Sequence, residues 1–192
     1  MTRIIAGTHG GRRIQTPKGD GTRPTSDRVR EALFSSLESE LGGFDGLRVL
    51  DLFAGSGALG LEALSRGAAW ATFVEADGKA ATVVKRNVTD LGAAAAVVRT
   101  KAERYVTDGD ADLFDLVFVD PPYAMPTRQV AALVEAVTES FAAEDALFVV
   151  ERATRDPFAW PDGVDGLRSK KYGETTLWFG RTGISAGVRS VP

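Results

Sequence analysis

The sequence predicts an α/β fold in which a mostly parallel sheet is covered by helices on both faces. Three observations predict it. Short runs rich in Val, Leu and Phe alternate with helical patterns, as buried parallel strands alternate with their crossover helices. A glycine-rich turn follows the first of these runs and opens a helix. The last two runs flank a tight turn, which predicts an antiparallel hairpin that closes the sheet.

The first elements are a small hairpin and a helix. The stretches "RIIAG" and "GRRIQTP" flank a Gly-containing turn and are expected to pair with each other. The stretch "TSDRVREALFSSL" then predicts a helix capped by Ser26 or Asp27. Its apolar side chains recur one turn apart, at Val29, Leu33 and Leu37. We expect this helix to cover one end of the sheet and to leave Arg28 and Arg30 pointing outward.

Five strands and one clear helix follow. The strands are expected over residues 47–54, 70–76, 95–102, 113–120 and 146–153. The helix is expected over residues 127–141, where the apolar side chains that share one face are Val130, Leu133, Val134, Val137 and Phe141. The closing hairpin turns at Gly173 and Glu174. These elements divide the chain into an N-terminal arm (1–27), a main domain (28–183) and a loose tail (184–192).

The composition excludes several classes of site. Cysteine is absent, which rules out disulfides, thiolate zinc sites, iron–sulfur clusters and a cysteine nucleophile. The single His9 cannot build a metal site alone, so we expect no metal. No apolar run approaches membrane-spanning length, and the first residues lack the apolar stretch of a signal peptide. With 192 residues and 44% hydrophobic content, we expect one soluble, cytoplasmic domain.

The charged side chains are unevenly spread along the chain, although its net charge is only −3. Residues 1–30 carry seven basic and two acidic side chains, whereas the remaining residues carry 16 basic and 24 acidic ones. A basic end on an acidic body is typical of a nucleic-acid-binding arm, and a merely solvated segment is the alternative. The candidates for contacts with a nucleic acid are Arg3, Arg12, Arg13, Lys18, Arg23, Thr25 and Arg28.

The stretch "VLDLFAGSGALG" ends the first strand and opens a helix. Gly55, Gly57 and Gly60 match the G-x-G-x-x-G pattern of dinucleotide sites. Asp51 lies four residues before Gly55, where a carboxylate repels a pyrophosphate and attracts a cationic group. S-adenosylmethionine carries an ammonium and a sulfonium and no phosphate, so the pattern favours that cofactor. The candidate contacts are Asp51, Phe53, Ala54, Gly55, Ser56 and Gly57.

An acid also closes the second predicted strand. Glu75 comes 18 residues after Gly57, where a carboxylate can bind both ribose hydroxyls of an adenosine cofactor in a doubly wound fold. The alternative is an acid that only ends a strand. Ala76 follows Glu75 at the same edge of the sheet. Ala102, after the third strand, is expected to provide packing surface for the adenine.

The stretch "FDLVFVDPPYAMP" stops the fourth strand with Asp120, Pro121, Pro122 and Tyr123. Prolines cannot continue a central strand, so this segment must form a rigid, extended turn. The fourth strand is expected beside the first, which brings Asp120 into the same crevice as the glycine turn. The Asp120 carboxylate and the Pro121 carbonyl could then accept the two N–H bonds of an exocyclic amine. Tyr123 could stack on an extruded base. The alternative is a turn that only ends the strand.

Several stretches together are similar to one family. They are "DLFAGSGALGLEALSRGA", "LFDLVFVDPPY", "RIIAG", "RPTSDRVREALF" and "KKYGETTLWF". The chain resembles the bacterial 16S ribosomal-RNA guanine-N2 methyltransferases of the small subunit. The resemblance implies a Rossmann-like class I methyltransferase fold, with a seven-stranded sheet whose last strand is antiparallel.

The resemblance also implies an activity. A methyl group is transferred from S-adenosylmethionine to the N2 amine of one guanine in 16S rRNA, within a small-subunit particle, by a monomeric enzyme without a metal. Asp51, Gly55, Gly57 and Glu75 would bind the cofactor, and residues 120–123 would bind the amine. Related adenine and glutamine methyltransferases carry Asn where this chain has Asp120, so the Asp favours guanine.

Three other functions are alternatives to this one. An NAD-dependent oxidoreductase does not account for the Asp-Pro-Pro-Tyr segment or for the final hairpin. A noncatalytic RNA-binding protein does not need both an intact cofactor motif and an intact target motif. A DNA adenine methyltransferase shares the reaction class but acts on another substrate.

Overall fold

The computed structural model describes residues 2–17, 27–109 and 112–183. It begins with a small antiparallel hairpin of β1 (Thr2–Arg3) and β2 (Arg13–Ile14), in which Thr2 lies opposite Ile14. The predicted N-terminal hairpin is therefore confirmed, although its strands are only two residues long. The predicted cap Ser26 and the predicted tail 184–192 lie outside the described residues.

The main sheet has seven strands. They are β3 (Arg48–Asp51), β4 (Trp70–Val74), β5 (Ala95–Val98), β6 (Phe114–Val119), β7 (Ala142–Ala153), β8 (Val164–Tyr172) and β9 (Thr175–Thr182). Their order is β5-β4-β3-β6-β7-β9-β8. Strands β3 to β7 pair in parallel, and β9 is antiparallel to both of its neighbours. This arrangement confirms the predicted fold class, the antiparallel last strand and the closing hairpin.

Among the described residues, five helices cover the two faces of the sheet. They are α1 (Asp27–Leu41), α2 (Ala58–Ser65), α3 (Gly78–Leu91), α4 (Ala102–Asp108) and α5 (Thr127–Ser140). One core cluster joins α1, α2 and α3 to the sheet, for example through Phe34 and Phe118. A second cluster joins α4 and α5 to the opposite face, for example through Val134 and Phe148. The stripe predicted for residues 127–141 is confirmed as core, because all five of its side chains are buried.

Three strand boundaries differ from the prediction by three residues or more, and the others by one or two. Strand β3 ends at Asp51, because the chain leaves the sheet for the glycine turn. Strand β5 ends at Val98, and Ala102 is the first residue of α4. Strand β7 begins at Ala142, four residues before the predicted start, because it continues directly from the end of α5. Hydrophobic runs predict well where the buried strands lie. They do not predict where each strand ends, because the strand ends depend on the geometry of the adjoining turns.

Helix α1 contains one correction. Leu33 and Leu37 are buried and Arg28 is exposed, as predicted. Arg30, however, is only 2% exposed, so the expectation that it points outward is wrong. Its guanidinium donates to the Thr2 hydroxyl, to the carbonyl of Arg3 and to the Asp27 carboxylate. A cation with these partners is buried because it fastens the N-terminal hairpin to α1.

The N-terminal hairpin is also fastened to α2. Glu62 is buried, and its carboxylate accepts hydrogen bonds from the backbone N–H groups of Ile5 at 2.7 Å and Ala6 at 3.1 Å. Gly7 has φ near 79°, and a Cβ there would come within 1.7 Å of the Ser65 carbonyl oxygen. The backbone therefore approaches α2 more closely than any side chain would permit. None of the helices in the described ranges is long and apolar enough to cross a membrane.

Candidate active site

The glycine turn lies between β3 and α2. Gly55 and Gly57 adopt positive φ values of 56° and 79°, a conformation that L side chains rarely occupy. Gly57 caps the helix, and Gly60 lies inside it. A Cβ at Gly60 would approach the Phe73 ring to 2.4 Å, so this glycine lets α2 pack closely on β4. The first two glycines shape the turn, and the third serves helix packing.

Asp51 is the last residue of β3 and is only 1% exposed. Burial raises the pKa of its carboxyl to about 7; the Gly60 and Phe53 amides lower it in part, and nearby Glu75 raises it slightly. Its Oδ1 has no hydrogen-bond partner among the described residues. A buried carboxylate with an open acceptor beside a glycine turn fits a cationic ligand group. The same carboxylate would repel a phosphate, because like charges interact strongly where water is excluded.

Glu75 connects the glycine turn to the start of α3. Its Oε2 accepts a hydrogen bond from the Gly55 N–H at 2.8 Å, and its Oε1 accepts one from the Asp77 N–H at 2.8 Å. Asp77 in turn caps α3 through the N–H groups of residues 79 and 80. Each carboxylate oxygen retains a lone pair that can accept a hydroxyl proton. Glu75 therefore positions the glycine turn, and its oxygens stay available to a ligand. It does more than end a strand, which was the alternative interpretation.

Asp120 directly follows β6, and the strand register brings it near Asp51. Asp51 lies opposite Phe118 in the β3–β6 pair, and Asp120 is two residues further along, on the same side of the sheet. Burial raises the pKa of Asp120 well above its ordinary value, and the carboxylates of Glu151 and Asp51 raise it further. These carboxyl groups therefore lie close enough to interact, in the crevice beside the glycine turn.

Glu151 is a residue of this crevice that sequence reasoning missed. Val119, the last residue of β6, pairs with Val150, so Asp120, directly after β6, comes next to Glu151 on β7. Burial raises the pKa of Glu151, and its hydrogen bonds lower it in part. The sequence places Glu151 near the end of the predicted strand 146–153, but the register of β6 against β7 was needed to bring it beside Asp120.

The Asp-Pro-Pro-Tyr segment is held in place by contacts on both sides. The Tyr123 hydroxyl donates to Glu151 Oε1 at 3.3 Å and lies 2.7 Å from the Thr175 hydroxyl oxygen, while the residue stays 41% exposed. Pro121 is buried and Pro122 is exposed. Beyond them, buried Arg152 donates to the Met125 carbonyl at 2.9 Å. The segment is therefore rigid, with its aromatic ring accessible. Thr175 and Arg152 were not found from the sequence, because both contacts join distant parts of the chain.

The remaining predicted cofactor residues lie around the same turn. Ala54 is buried and donates its N–H to the Val74 carbonyl at 3.0 Å, which joins the turn to β4. Ser56 and Phe53 are partly buried, and Ala76 is exposed beside Glu75. Ala102 is only 4% exposed and belongs to the core cluster under α4 and α5. Its contact with an adenine stays a prediction.

The residues predicted to contact a nucleic acid are only partly described. Arg3 is exposed and binds Asp27 at 3.1 Å, and Arg12 donates to the Asp90 carbonyl at 2.6 Å. Arg13 and Arg28 are exposed as well. Lys18, Arg23 and Thr25 lie outside the described residues. Within the parts of the chain that the structure describes, no three His, Asp or Glu side chains are grouped to hold a metal ion.

The comparisons with known proteins place this chain in a family. The model of the family described as Conserved hypothetical protein 95 matches residues 2–181. The chain belongs to this family. A relative in Bacillus subtilis (strain 168), named Putative rRNA methyltransferase YlbH, is 38% identical over 180 residues, which is 90% of this chain and 95% of the relative. Ribosomal RNA small subunit methyltransferase D of Haemophilus influenzae is 34% identical over 177 residues, 89% of each chain.

A solved structure agrees with this family membership. The protein described as "Putative methyltransferase yhhF from Escherichia coli" aligns with a TM-score of 0.83 and 33% sequence identity, covering 95% of this chain and 98% of that one. A more distant structure of a putative SAM-dependent methyltransferase from Streptococcus mutans has a TM-score of 0.69 at 14% identity, and shares the fold. The family and its fold therefore agree with the resemblance found in the sequence.

Proposed function

We propose that this chain is an S-adenosylmethionine-dependent methyltransferase that modifies the exocyclic N2 amine of a guanine in 16S rRNA. The observation that carries the proposal is the Asp-Pro-Pro-Tyr segment opening into the same crevice as the glycine turn, with Asp51, Asp120 and Glu151 close together. The relatives named as rRNA methyltransferases support ribosomal RNA as the substrate. The substrate particle is a small ribosomal subunit, and the protein acts as a monomer in the cytoplasm.

The residues around the glycine turn fit the cofactor. S-adenosylmethionine supplies a methyl group bonded to a positively charged sulfur, and it carries an ammonium group. Asp51 has a buried, unpaired acceptor oxygen suited to a cation, and Glu75 has lone pairs suited to ribose hydroxyls. A dinucleotide would bring its negatively charged pyrophosphate beside the carboxyl groups of Asp51, Asp120 and Glu151. The repulsion between these like charges argues against an NAD-type ligand.

Asp120 and Pro121 orient the amine. An exocyclic nitrogen is a poor nucleophile, because its lone pair is delocalised into the base. The Asp120 carboxylate and the Pro121 carbonyl can accept one N–H each, which turns the lone pair away from the ring. After transfer the nitrogen carries a positive charge and must lose a proton. Because the pKa of Asp120 is raised, its carboxylate is suited to accept that proton.

Tyr123 holds the base. Its hydroxyl is fixed by Glu151 and Thr175, so the ring is oriented before the substrate arrives. Stacking of a base on an aromatic side chain contributes about 1 to 3 kcal/mol. Catalysis then comes mainly from positioning and from the placement of charge.

The test is a methylation assay with mapped products. The purified protein, methyl-labelled S-adenosylmethionine and small subunits from a strain that lacks the endogenous modification are incubated, and the rRNA is digested to nucleosides. We expect N2-methylguanosine at a single position. Methyl-labelled adenosine, or no transfer to either small subunits or free 16S rRNA, would contradict the proposal.

A further inference from the structure

A cavity of about 440 Å³ opens on the side of Tyr123 that faces the closing hairpin. Its lining comes from the segment after β6, the end of β7 and the turn after it, and the end of β8 with the β8–β9 turn, namely Tyr123, Ala153, Thr154, Arg155, Lys171, Gly173 and Glu174. Asp51 and Asp120 are not part of that lining. The cavity is therefore next to the crevice beside the glycine turn, but separate from it.

The lining of this cavity contains two cations. Arg155 lies in the turn after β7, Lys171 lies on β8 opposite Thr176, and both residues are exposed. Neither forms an ion pair within 4.0 Å with any residue that the structure describes. Glu174 is the single acidic residue in the same lining. Because the two cations outnumber it, the charge around the cavity favours an anionic ligand.

Tyr123 connects the cavity to the crevice. Tyr123 lines the cavity, while its hydroxyl is held by Glu151 and Thr175, and its backbone belongs to the segment that begins at Asp120. Under the proposed function, a base stacked on this ring would have its amine toward Asp120. Because Arg155 and Lys171 share the cavity lining with Tyr123, the sugar and phosphates attached to that base would pass these two cations on leaving the crevice.

We propose that this cavity binds the phosphodiester backbone of the RNA strand next to the target nucleotide, with Arg155 and Lys171 each contacting a phosphate. The inference rests on the proposed function, because it takes a base-modifying reaction on RNA as given. Phosphate contacts position a strand without reading its sequence, so this surface would orient the substrate whatever bases flank the target.

The test is the double substitution Arg155→Gln/Lys171→Gln, compared with Lys85→Gln/Arg86→Gln. The control removes one Lys and one Arg from exposed positions on α3 and so makes the same change in net charge. For the cavity variant we expect KM for the rRNA substrate to rise about ten-fold or more, with kcat changed much less. For every phosphate that the variant no longer neutralises, the slope of log affinity against log salt concentration should flatten by about 0.7 to 0.9. For the control we expect wild-type KM and slope.

Two further measurements separate the outcomes. Cofactor affinity by calorimetry and the melting temperature should match wild type in both variants, because the exchanged side chains are exposed and do not belong to the glycine turn. If the cavity variant keeps the wild-type KM and salt slope, or if the control changes as much, the cavity does not bind the RNA backbone. That result leaves the proposed function intact as long as the wild-type protein methylates guanine. If the wild type transfers no methyl group to rRNA, the proposed function itself is wrong.

Discussion

Asp51 destabilises the free protein and, under the proposed function, binds the cofactor. Its pKa is 3.8 in the unfolded chain and about 7 in the folded protein, so the folded state binds more protons between these values. Its contribution to stability therefore falls as the pH rises from about 4 to about 7, and the full penalty is present above pH 7. A bound cation would remove that penalty by favouring the ionised carboxylate.

The first prediction concerns the substitution Asp51→Asn. The melting temperature of the variant relative to wild type should increase between pH 5 and pH 8.5, because Asn has no proton to lose. Affinity for S-adenosylmethionine at pH 8.5 should fall ten-fold or more, since a hydrogen bond to a charged group contributes about 1.5 to 3 kcal/mol. Thermal melts at the two pH values and calorimetry check both parts. A melting difference that does not depend on pH would mean that Asp51 does not titrate in this range.

The second prediction concerns Asp120 and Tyr123. Asp120→Ala should lower kcat by orders of magnitude while the protein folds and binds rRNA, because the missing interaction positions the amine in the transition state. Partial activity in Asp120→Asn would show that geometry dominates, and none would show that the negative charge is needed. Tyr123→Phe should be mild and Tyr123→Ala severe, because stacking uses the ring. Single-turnover methylation measures these effects. Near wild-type turnover in Asp120→Ala would leave the segment as only a rigid end to β6.

At the scale of the elements, the N-terminal hairpin and α2 form one packed unit. Ile4 and Ile14 are buried in the core, and Glu62 joins two hairpin N–H groups to the Arg66 guanidinium, whose Nε lies 2.8 Å from the carboxylate. Removing the hairpin would expose this core and leave the Glu62 charge without its backbone donors. Point substitutions are therefore better tests of the hairpin than truncation.

The third prediction compares two carboxylates that share Arg66. Glu62 is buried, whereas the Glu38 side chain is 59% exposed and lies 3.4 Å from the same guanidinium. Breaking a buried pair destabilises by about 3 to 5 kcal/mol, and an exposed pair contributes about 0 to 1 kcal/mol. Glu62→Ala should therefore lower the denaturant midpoint strongly, and Glu38→Ala should barely change it. Equal effects of the two substitutions would show that the hairpin contact adds nothing to stability.

The elements show what could be predicted from the sequence. The strands, α5 and both hairpins were predictable, because hydrophobic periodicity and turn residues are local signals. The glycine turn and residues 120–123 were predictable as motifs for the same reason. Glu151 and Thr175 were not, because they reach Tyr123 only through the registers of β7 and β9. The outward orientation predicted for Arg30 was wrong, since its partners are up to 28 residues away in sequence. Contacts between distant segments are not visible in a local pattern.

At the scale of the whole molecule, the described part of the N-terminal arm extends from the far end of α2 to the glycine turn. Glu62 and Ser65, which hold the start of the hairpin, lie near the end of α2 that is far from the glycine turn. After β2 the chain passes Asn87, whose amide donates to the Gln15 carbonyl and to the Ser56 carbonyl, both at 2.9 Å. Ser56 belongs to the glycine turn. Gln15, which directly follows β2, therefore lies near the rim of the crevice.

The last prediction asks whether this arm and the cavity beside Tyr123 hold the same RNA. Arg12→Gln/Arg13→Gln removes two exposed cations of the hairpin, and Arg155→Gln/Lys171→Gln removes the two of the cavity. Because the two pairs lie on different elements, their effects on binding free energy should add, and the quadruple variant should lose the product of the two affinity factors. Its salt slope should flatten by the sum of the two changes.

Arg12 also donates to the Asp90 carbonyl, so we expect the hairpin pair to contribute less than the cavity pair. Titrations of rRNA at several salt concentrations measure all four proteins. An unchanged salt slope in Arg12→Gln/Arg13→Gln would mean that these arginines are only solvated, and the phosphate contacts of the arm would then be expected at Lys18 and Arg23.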